Sequence, residues 1–158
     1  MYCMKVEIKA SKDFHLLASL NEQVQEWHHQ NYPDVFKPID IKGVEEAFQL
    51  LLDKEGVFAF LATQDGKAIG YLLAFLENRA ESAFQYAQSV MIIDQILVLE
   101  EHRHSGVGQA LMDRAIELAQ EQVVDEIQLD HWSANESAEK FFAKNKFVNF
   151  KHKLKFKL

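Results

Sequence analysis

Two glycines and an arginine at fixed spacing are the residues of this chain best suited to bind a charged ligand. They form the turn Arg103-x-x-Gly106-x-Gly108, which follows the apolar stretch 95–98 and opens onto an amphipathic helix. Glycines at a helix N-terminus let backbone N–H groups approach an anion, and the helix dipole favours negative charge there. The turn therefore predicts a site for a phosphate-bearing ligand.

Two common phosphate-binding motifs do not fit this turn. A P-loop needs a lysine after its last glycine, but Gly108 is followed by Gln109 and Ala110. A dinucleotide-binding fingerprint needs three glycines after the first strand, whereas this turn has only two and follows a late strand. Neither kind of nucleotide site is predicted.

The turn resembles the pyrophosphate loop of the GNAT acyltransferases, whose pattern is Gln/Arg-x-x-Gly-x-Gly/Ala. Val98 stands five residues before Arg103, as in the strand that precedes this loop in the family. The segment 129–142 resembles the family's second signature, in which a strand leads to Asn-x-x-Ala-x-x-x-Tyr, and Asn135 takes the position of its asparagine. The expected order of elements is also similar to the GNAT fold over nearly all of the chain.

This resemblance implies acetyl-CoA as co-substrate and a primary amine of a small molecule or peptide as acceptor. Backbone groups of Leu97 and Val98 would pair with the pantetheine arm, Asn135 would bond a pantetheine amide, and Phe142 would pack near the thioester. The loop that begins at Arg103 would hold the pyrophosphate through the backbone N–H groups of His104, Ser105, Gly106, Val107, Gly108 and Gln109. No metal is implied, and the sequence does not identify the amine.

Transfer of an acyl group to an amine requires that the ammonium lose a proton and that an oxyanion be stabilised. The resemblance implies direct attack, with the Val98 N–H as oxyanion donor. As base we favour Asp94, which lies on a strand where many family members carry a glutamate. Strand alternation predicts that Asp94 shares a face with Ile96 and Val98, and its apolar surroundings predict a raised pKa. The alternative interpretation is that Asp94 faces solvent or pairs with a neighbour and is not a base. His131 is a second candidate base, and the alternative for it is a purely structural role.

One departure from the family pattern concerns the proton that the leaving thiolate receives. The usual tyrosine is replaced by Phe142, which has no proton to give. Water, Ser137 or Tyr86 would take over, or the thiolate leaves unprotonated. A second hypothesis follows from this: a CoA-binding module of the same fold with little or no turnover.

The elements that must position these residues follow from hydrophobic periodicity. It predicts one domain over 1–158 with the order β-α-α-β-β-β-α-β-α-β, an α+β or mixed α/β fold with a central, mostly antiparallel sheet flanked by helices. Asp65-Gly66 marks a hairpin, and Ser133 to Glu136 has the spacing of a capping box. The helices around Trp27 to Lys54 and the loop 77–89 are expected to form the acceptor groove, and the alternating segment 147–158 is expected to be the last strand.

Composition narrows the range of partners. A net charge of −7 argues against nucleic acid, whose phosphates require a positive surface, and mildly favours a cationic substrate. The single cysteine, Cys3, excludes an internal disulfide. Without a long apolar run or a signal-peptide pattern, we expect a cytoplasmic protein with no membrane partner, and a homodimer is left open.

Overall fold

The computed structural model describes residues 5–158, so Cys3 and the Met4 end of the predicted first strand lie outside it. In chain order the elements are β1 (Glu7–Ala10), α1 (Phe14–Asn31), α2 (Ile41–Leu52), β2 (Val57–Gln64), β3 (Lys67–Arg79), β4 (Gln88–Val98), a 3-10 turn (Glu100–His102), α3 (Val107–Glu121), β5 (Glu126–Leu129) and α4 (Glu136–Lys144). The strands form one sheet in the order β1-β2-β3-β4-β5, antiparallel except for the parallel pair β4–β5. The α+β fold class and the predicted order of elements up to α4 are confirmed.

Short-range sequence signals set several element boundaries. Asp65 and Gly66 both have positive φ, 50° and 77°, as a two-residue turn that matches the twist of its hairpin requires. Asp13 accepts a hydrogen bond from the Leu16 N–H at 3.0 Å, and Asp40 caps α2 in the same way. These boundaries depend on residues that are close in sequence.

Each face of the sheet buries its own apolar cluster. The cluster under α3 and α4 includes Leu72, Met91 and Leu111, and the cluster under α1 and α2 includes Leu17 and Leu73. Because neighbouring strand residues point to opposite faces, Leu72 and Leu73 belong to different clusters. No helix within residues 5–158 has a stretch long and apolar enough to cross a membrane.

Strand β4 carries a bulge and then separates from β5. Along the β3–β4 ladder Leu73 pairs with Gln95 but Ala74 pairs with Ile93, which leaves Asp94 as an extra residue. The parallel pairing with β5 covers only residues 90–93 of β4. The last five residues of β4 therefore have no strand beside them on the β5 side, and a gap opens there within the described chain.

Three expectations about the chain's connections are wrong. The segment 147–158 forms no strand; beyond Phe147 its apolar residues, such as Phe156 at 88% exposure, are exposed and have no neighbouring strand that would hold the pattern in place. The loop 77–89 is shorter, because β3 reaches Arg79 and β4 begins at Gln88. Asn135, rather than Ser133, caps α4.

Candidate active site

The gap between β4 and β5 is bordered by backbone groups that the sheet does not use. The Leu99 N–H donates to the Ile69 carbonyl at 2.9 Å, so in the alternating pattern of an antiparallel pair Leu97 bonds with Tyr71. The intervening Val98 then directs its N–H and C=O away from β3 and into the gap. Leu97, expected beside Val98 at the cofactor, has its backbone groups in the ladder instead.

The turn before α3 stands at one end of this gap. His104 and Gly106 have positive φ, 60° and 87°, and Gly106 is the N-cap of α3. The first intrahelical bond runs from the Ala110 N–H to the Gly106 carbonyl, so the three N–H groups before it have no partner within the helix. A Cβ built on Gly106 would meet no atom within 4 Å, which leaves open space beside these donors. The turn therefore has the backbone geometry of an anion site.

Three side chains in and beside the turn brace it through hydrogen bonds. The Arg103 Nε donates to the Val98 carbonyl at 3.2 Å, and the Ser105 hydroxyl donates to the His102 carbonyl. The Gln109 amide donates to Asn145 at 2.7 Å, which ties α3 to the end of α4. What these residues offer a ligand is mainly backbone.

Other predicted cofactor residues are anchored in or beside the core. Val107 is 1% exposed, so its side chain holds the first turn of α3 against the sheet. A Cβ on Gly108 would lie 3.5 Å from the Phe141 ring and 3.7 Å from a methyl of Val98, which are ordinary contacts. The N-terminal end of α3 thus lies directly against the last residue of β4.

Asn135 and Phe142 belong to the α4 region, Asn135 as the N-cap of the helix and Phe142 within it. The Asn135 Oδ1 accepts the Ala138 N–H at 3.0 Å as N-cap, so one of its polar atoms is already engaged in the helix. Phe142 is 8% exposed, and its ring centroid lies 6.0 Å from that of His131 and 5.9 Å from that of Phe147. Phe142 fills, as a purely apolar ring, the position where the family pattern has a tyrosine.

The bulge changes the face on which Asp94 lies. Ile96 and Val98 pack against the α3 cluster, whereas Gln95 contacts residues on the α1 side. As the extra residue beside Gln95, Asp94 lies on the α1 side as well, so its expected alignment with Ile96 and Val98 is wrong. Burial raises the pKa of Asp94, the hydrogen bond from Gln95 lowers it, and the nearby charge of Asp130 raises it, with a net upward shift. Asp130, at the end of β5, is a residue that the sequence reasoning missed.

His131 is half-buried between β5 and α4. Its Nδ1 lies 3.3 Å from the Trp132 carbonyl oxygen, and its ring packs beside Phe142.

Two side chains were considered as proton donors to the leaving thiolate in place of the family's tyrosine. Tyr86 lies in the loop before β4, which is separated from Asp94 by six strand residues, about 20 Å. That loop also lies at the wrong end of β4 to border an acceptor groove beside the gap. Ser137 is exposed in the first turn of α4.

An aromatic cluster, formed by residues at the end of α1, in the following loop and after β5, was also missed as a unit. The Tyr32 and Trp132 rings are 4.5 Å apart, and Phe36 meets Trp132 at 5.1 Å. His28 stacks on Phe36 at 4.3 Å, and burial lowers the pKa of His28. The Tyr32 oxygen also accepts the Ala134 N–H at 3.0 Å, which ties α1 to the segment that leads into α4. The signal in the sequence was the density of aromatic residues near residue 30, but only the fold brings Trp132 to them.

Residues 21–147 match the Acetyltransferase (GNAT) family, and the chain belongs to that family. No curated protein matches the chain by sequence.

Solved structures share this fold at low sequence identity. A tetramutant of the BH1408 protein from Bacillus halodurans superposes with a TM-score of 0.89 at 22% identity, covering 98% of this chain and 100% of that one. The aminoglycoside N-acetyltransferase AAC(6')-Iy in complex with CoA gives 0.74 at 17%, with coverages of 98% and 95%. A ribosomal-protein-alanine N-acetyltransferase from Brucella melitensis gives 0.71 at 18%, with coverages of 98% and 100%.

Proposed function

We propose that the protein is an N-acetyltransferase that moves an acetyl group from acetyl-CoA to a primary amine by direct attack. The observation that carries the proposal is the position of Val98, whose N–H and C=O point away from β3 and into the gap beside the N-terminus of α3, where the C=O also accepts from Arg103. Membership of the GNAT family supports acyl transfer, and the solved relative in complex with CoA supports an acyl-CoA donor. A module without turnover is less favoured, because a carboxylate with a raised pKa lies on the same strand.

The residues present fit acetyl-CoA as a substrate. Its pyrophosphate would be bound by N–H groups of the turn from His104 to Gln109, where the open space beside Gly106 leaves room for it. The pantetheine arm would lie along the unpaired edge of β4 at Val98, in the manner of an added strand. Asn135 would offer its remaining amide N–H groups to the same arm, and Phe142 would close the apolar wall.

The chain's own groups would handle the charges of the reaction. Asp94 would accept a proton from the incoming ammonium, directly or through water, and its raised pKa makes it a stronger base than an ordinary aspartate. The Val98 N–H would donate to the thioester oxygen as negative charge develops there. His131 remains the second candidate base. For the leaving thiolate, Phe142 supplies no proton, so water or Ser137 would supply it.

The acceptor is proposed to be a small-molecule or peptide amine bound on the α1 side of the gap. Asp94 and Asp130 together favour a cation there, and aromatic faces such as that of Trp132 attract ammonium groups. No role for nucleic acid or membrane is proposed, and the cytoplasmic location stays a prediction from the sequence.

A thiol-release assay tests the proposal. The full chain is incubated with acetyl-CoA and a panel of polyamines, aminoglycosides, amino acids and N-terminal peptides, and free CoA is measured. At least one amine should give release well above background, and Asp94→Asn should lower that rate by about 10²–10⁴-fold with CoA binding unchanged. Background rates with every acceptor, in a protein that binds CoA, would instead support the module without turnover.

A further inference from the structure

A row of polar side chains runs from α1 along the α1 side of the sheet to Asp94. The Asn21 Nδ2 lies 2.9 Å from the Tyr71 hydroxyl, which lies 2.5 Å from the Gln95 Oε1. The Gln95 Nε2 lies 3.1 Å from the Asp94 Oδ2. Asn21 is 7% exposed and Tyr71 is fully buried, so the inner end of this row is shielded from water.

When Asp94 is ionised, the donor and the acceptor of every hydrogen bond in the row are fixed. A carboxylate only accepts hydrogen bonds, so the Gln95 Nε2 must donate to it and the Gln95 Oε1 must face inward. The Tyr71 O–H then donates to that oxygen, and the Asn21 amide donates to the Tyr71 oxygen. In its second contact the Asn21 amide also donates, to the Gln95 Oε1 at 3.3 Å. Reversing the Gln95 amide would set its oxygen against a negative carboxylate.

We propose that Gln95 is a positioning residue for the Asp94 carboxylate, and that Tyr71 and Asn21 hold Gln95 in the required orientation. The proposal rests on the proposed role of Asp94 as base. The bulge makes the arrangement feasible, because it brings Asp94 and Gln95, adjacent in sequence, to the same side of the sheet. Gln95 engages the Asp94 Oδ2 and leaves the Oδ1 to accept from an ammonium or a water.

The row also acts on the charge of Asp94. Burial and the neighbouring Asp130 favour the neutral acid, whereas the hydrogen bond from Gln95 favours the carboxylate, so it limits the rise in the pKa. Tyr71 faces Asp94 from β3, and burial raises the pKa of its phenol, with a further upward contribution from the charge of Asp94. Tyr71 therefore stays protonated and remains a donor to Gln95.

A role limited to satisfying buried polar groups would give a different result on mutation. It predicts that loss of the row changes stability and leaves the titration of Asp94 as it was. The test therefore follows the Asp94 carboxyl carbon by nuclear magnetic resonance over pH, a readout that does not require turnover. The pH profile of kcat/KM is measured beside it with the best acceptor.

Two variants and their combination form the test. Gln95→Leu removes the donor to Asp94 and should move its titration midpoint up by about one pH unit, with the acid limb of the activity profile following. Tyr71→Phe keeps the ring and should move the midpoint in the same direction by about half as much. The double variant should match Gln95→Leu, because residues of one network are not additive. Gln95→Met also removes the donor to Asp94 and is measured as an independent repeat of Gln95→Leu.

The matched control is Phe48→Leu. Phe48 packs edge-on against Tyr71 with ring centroids 6.0 Å apart, so this change disturbs the same core but keeps the hydroxyl, and the midpoint should stay in place. An unmoved midpoint in both Gln95 variants, or an equal movement in Phe48→Leu, would overturn the positioning role. If the midpoints move as stated but the wild type transfers no acetyl group to any amine, the proposed function is wrong, whereas the role of Gln95 in positioning Asp94 is supported.

Discussion

Replacing Gly106 with alanine tests the backbone of the turn before α3. Gly106 has a φ of 87°, where a residue with a side chain is strained by about 1–2 kcal/mol. Since the new Cβ would meet no atom within 4 Å, strain alone should account for the loss of stability. For a chain of this size, a loss of that magnitude lowers the melting temperature by about 2–8 °C.

Gly108→Ala is the matched control, two residues along the same turn. Gly108 has no positive φ, and its Cβ would make ordinary contacts with Phe141 and Val98. Removing a glycine from a helix should here raise the free energy of unfolding by about 0.5–1 kcal/mol. The two substitutions therefore add the same methyl group and are expected to change stability in opposite directions.

Urea unfolding and calorimetric titration with CoA complete this experiment. Gly106→Ala should weaken CoA binding by at least several-fold, because its methyl enters the open space beside the N–H donors, whereas Gly108→Ala should bind as the wild type does. If Gly106→Ala is as stable as the wild type, the strain argument is wrong. Equal CoA affinity in both variants would show that the pyrophosphate does not lie against this turn.

Three further predictions concern Phe142, Asp94 and the C-terminal segment. Phe142→Tyr should raise the rate of CoA release about tenfold or more if protonation of the thiolate limits the reaction, with CoA affinity unchanged; an unaltered rate would mean that another acid serves or that none is needed. Asp94 has a raised pKa in the folded state, so the folded state holds its proton more tightly. The free energy of unfolding therefore falls as pH rises from the ordinary aspartate pKa through the raised pKa of the folded state. Asp94→Asn should therefore stabilise the fold at pH 7 but not below the ordinary aspartate pKa, and thermal scans at both pH values check this; equal effects at the two would contradict it. Because the apolar residues of 148–158 are exposed, such as Phe156, the full chain should self-associate and a variant ending at residue 147 should not. Sedimentation can decide this, and a monomeric full chain would refute it.

The local signals in the sequence predicted what local forces control. Asp65-Gly66 makes its turn because adjacent residues with positive φ suffice to reverse the chain. The Arg103 to Gly108 turn was predicted as an anion site for the same reason, since its glycine conformation and helix N-terminus lie within six residues.

Two predictions were wrong because they assumed a strand without a bulge or a strand with a neighbour to pair with. Alternation placed Asp94 on the face of Val98, but a bulge depends on the pairing with β3 and leaves no clear mark in β4 itself. The same alternation in 147–158 predicted a strand, yet a strand also needs a neighbour to complete its hydrogen bonds, and the segment has none within the described residues.

The sequence by itself determined the fold class, the turn before α3 and the residue types available for acyl transfer, because periodicity, caps and glycines act over a few residues. Only the tertiary structure decided which backbone groups face the gap, on which side Asp94 lies, and which side chains orient it. Asn21 reaches Tyr71 across 50 residues of chain and Gln95 across 74. Hydrogen bonds over such separations form only when the sheet and α1 have packed, so no pattern within a short window of sequence records them.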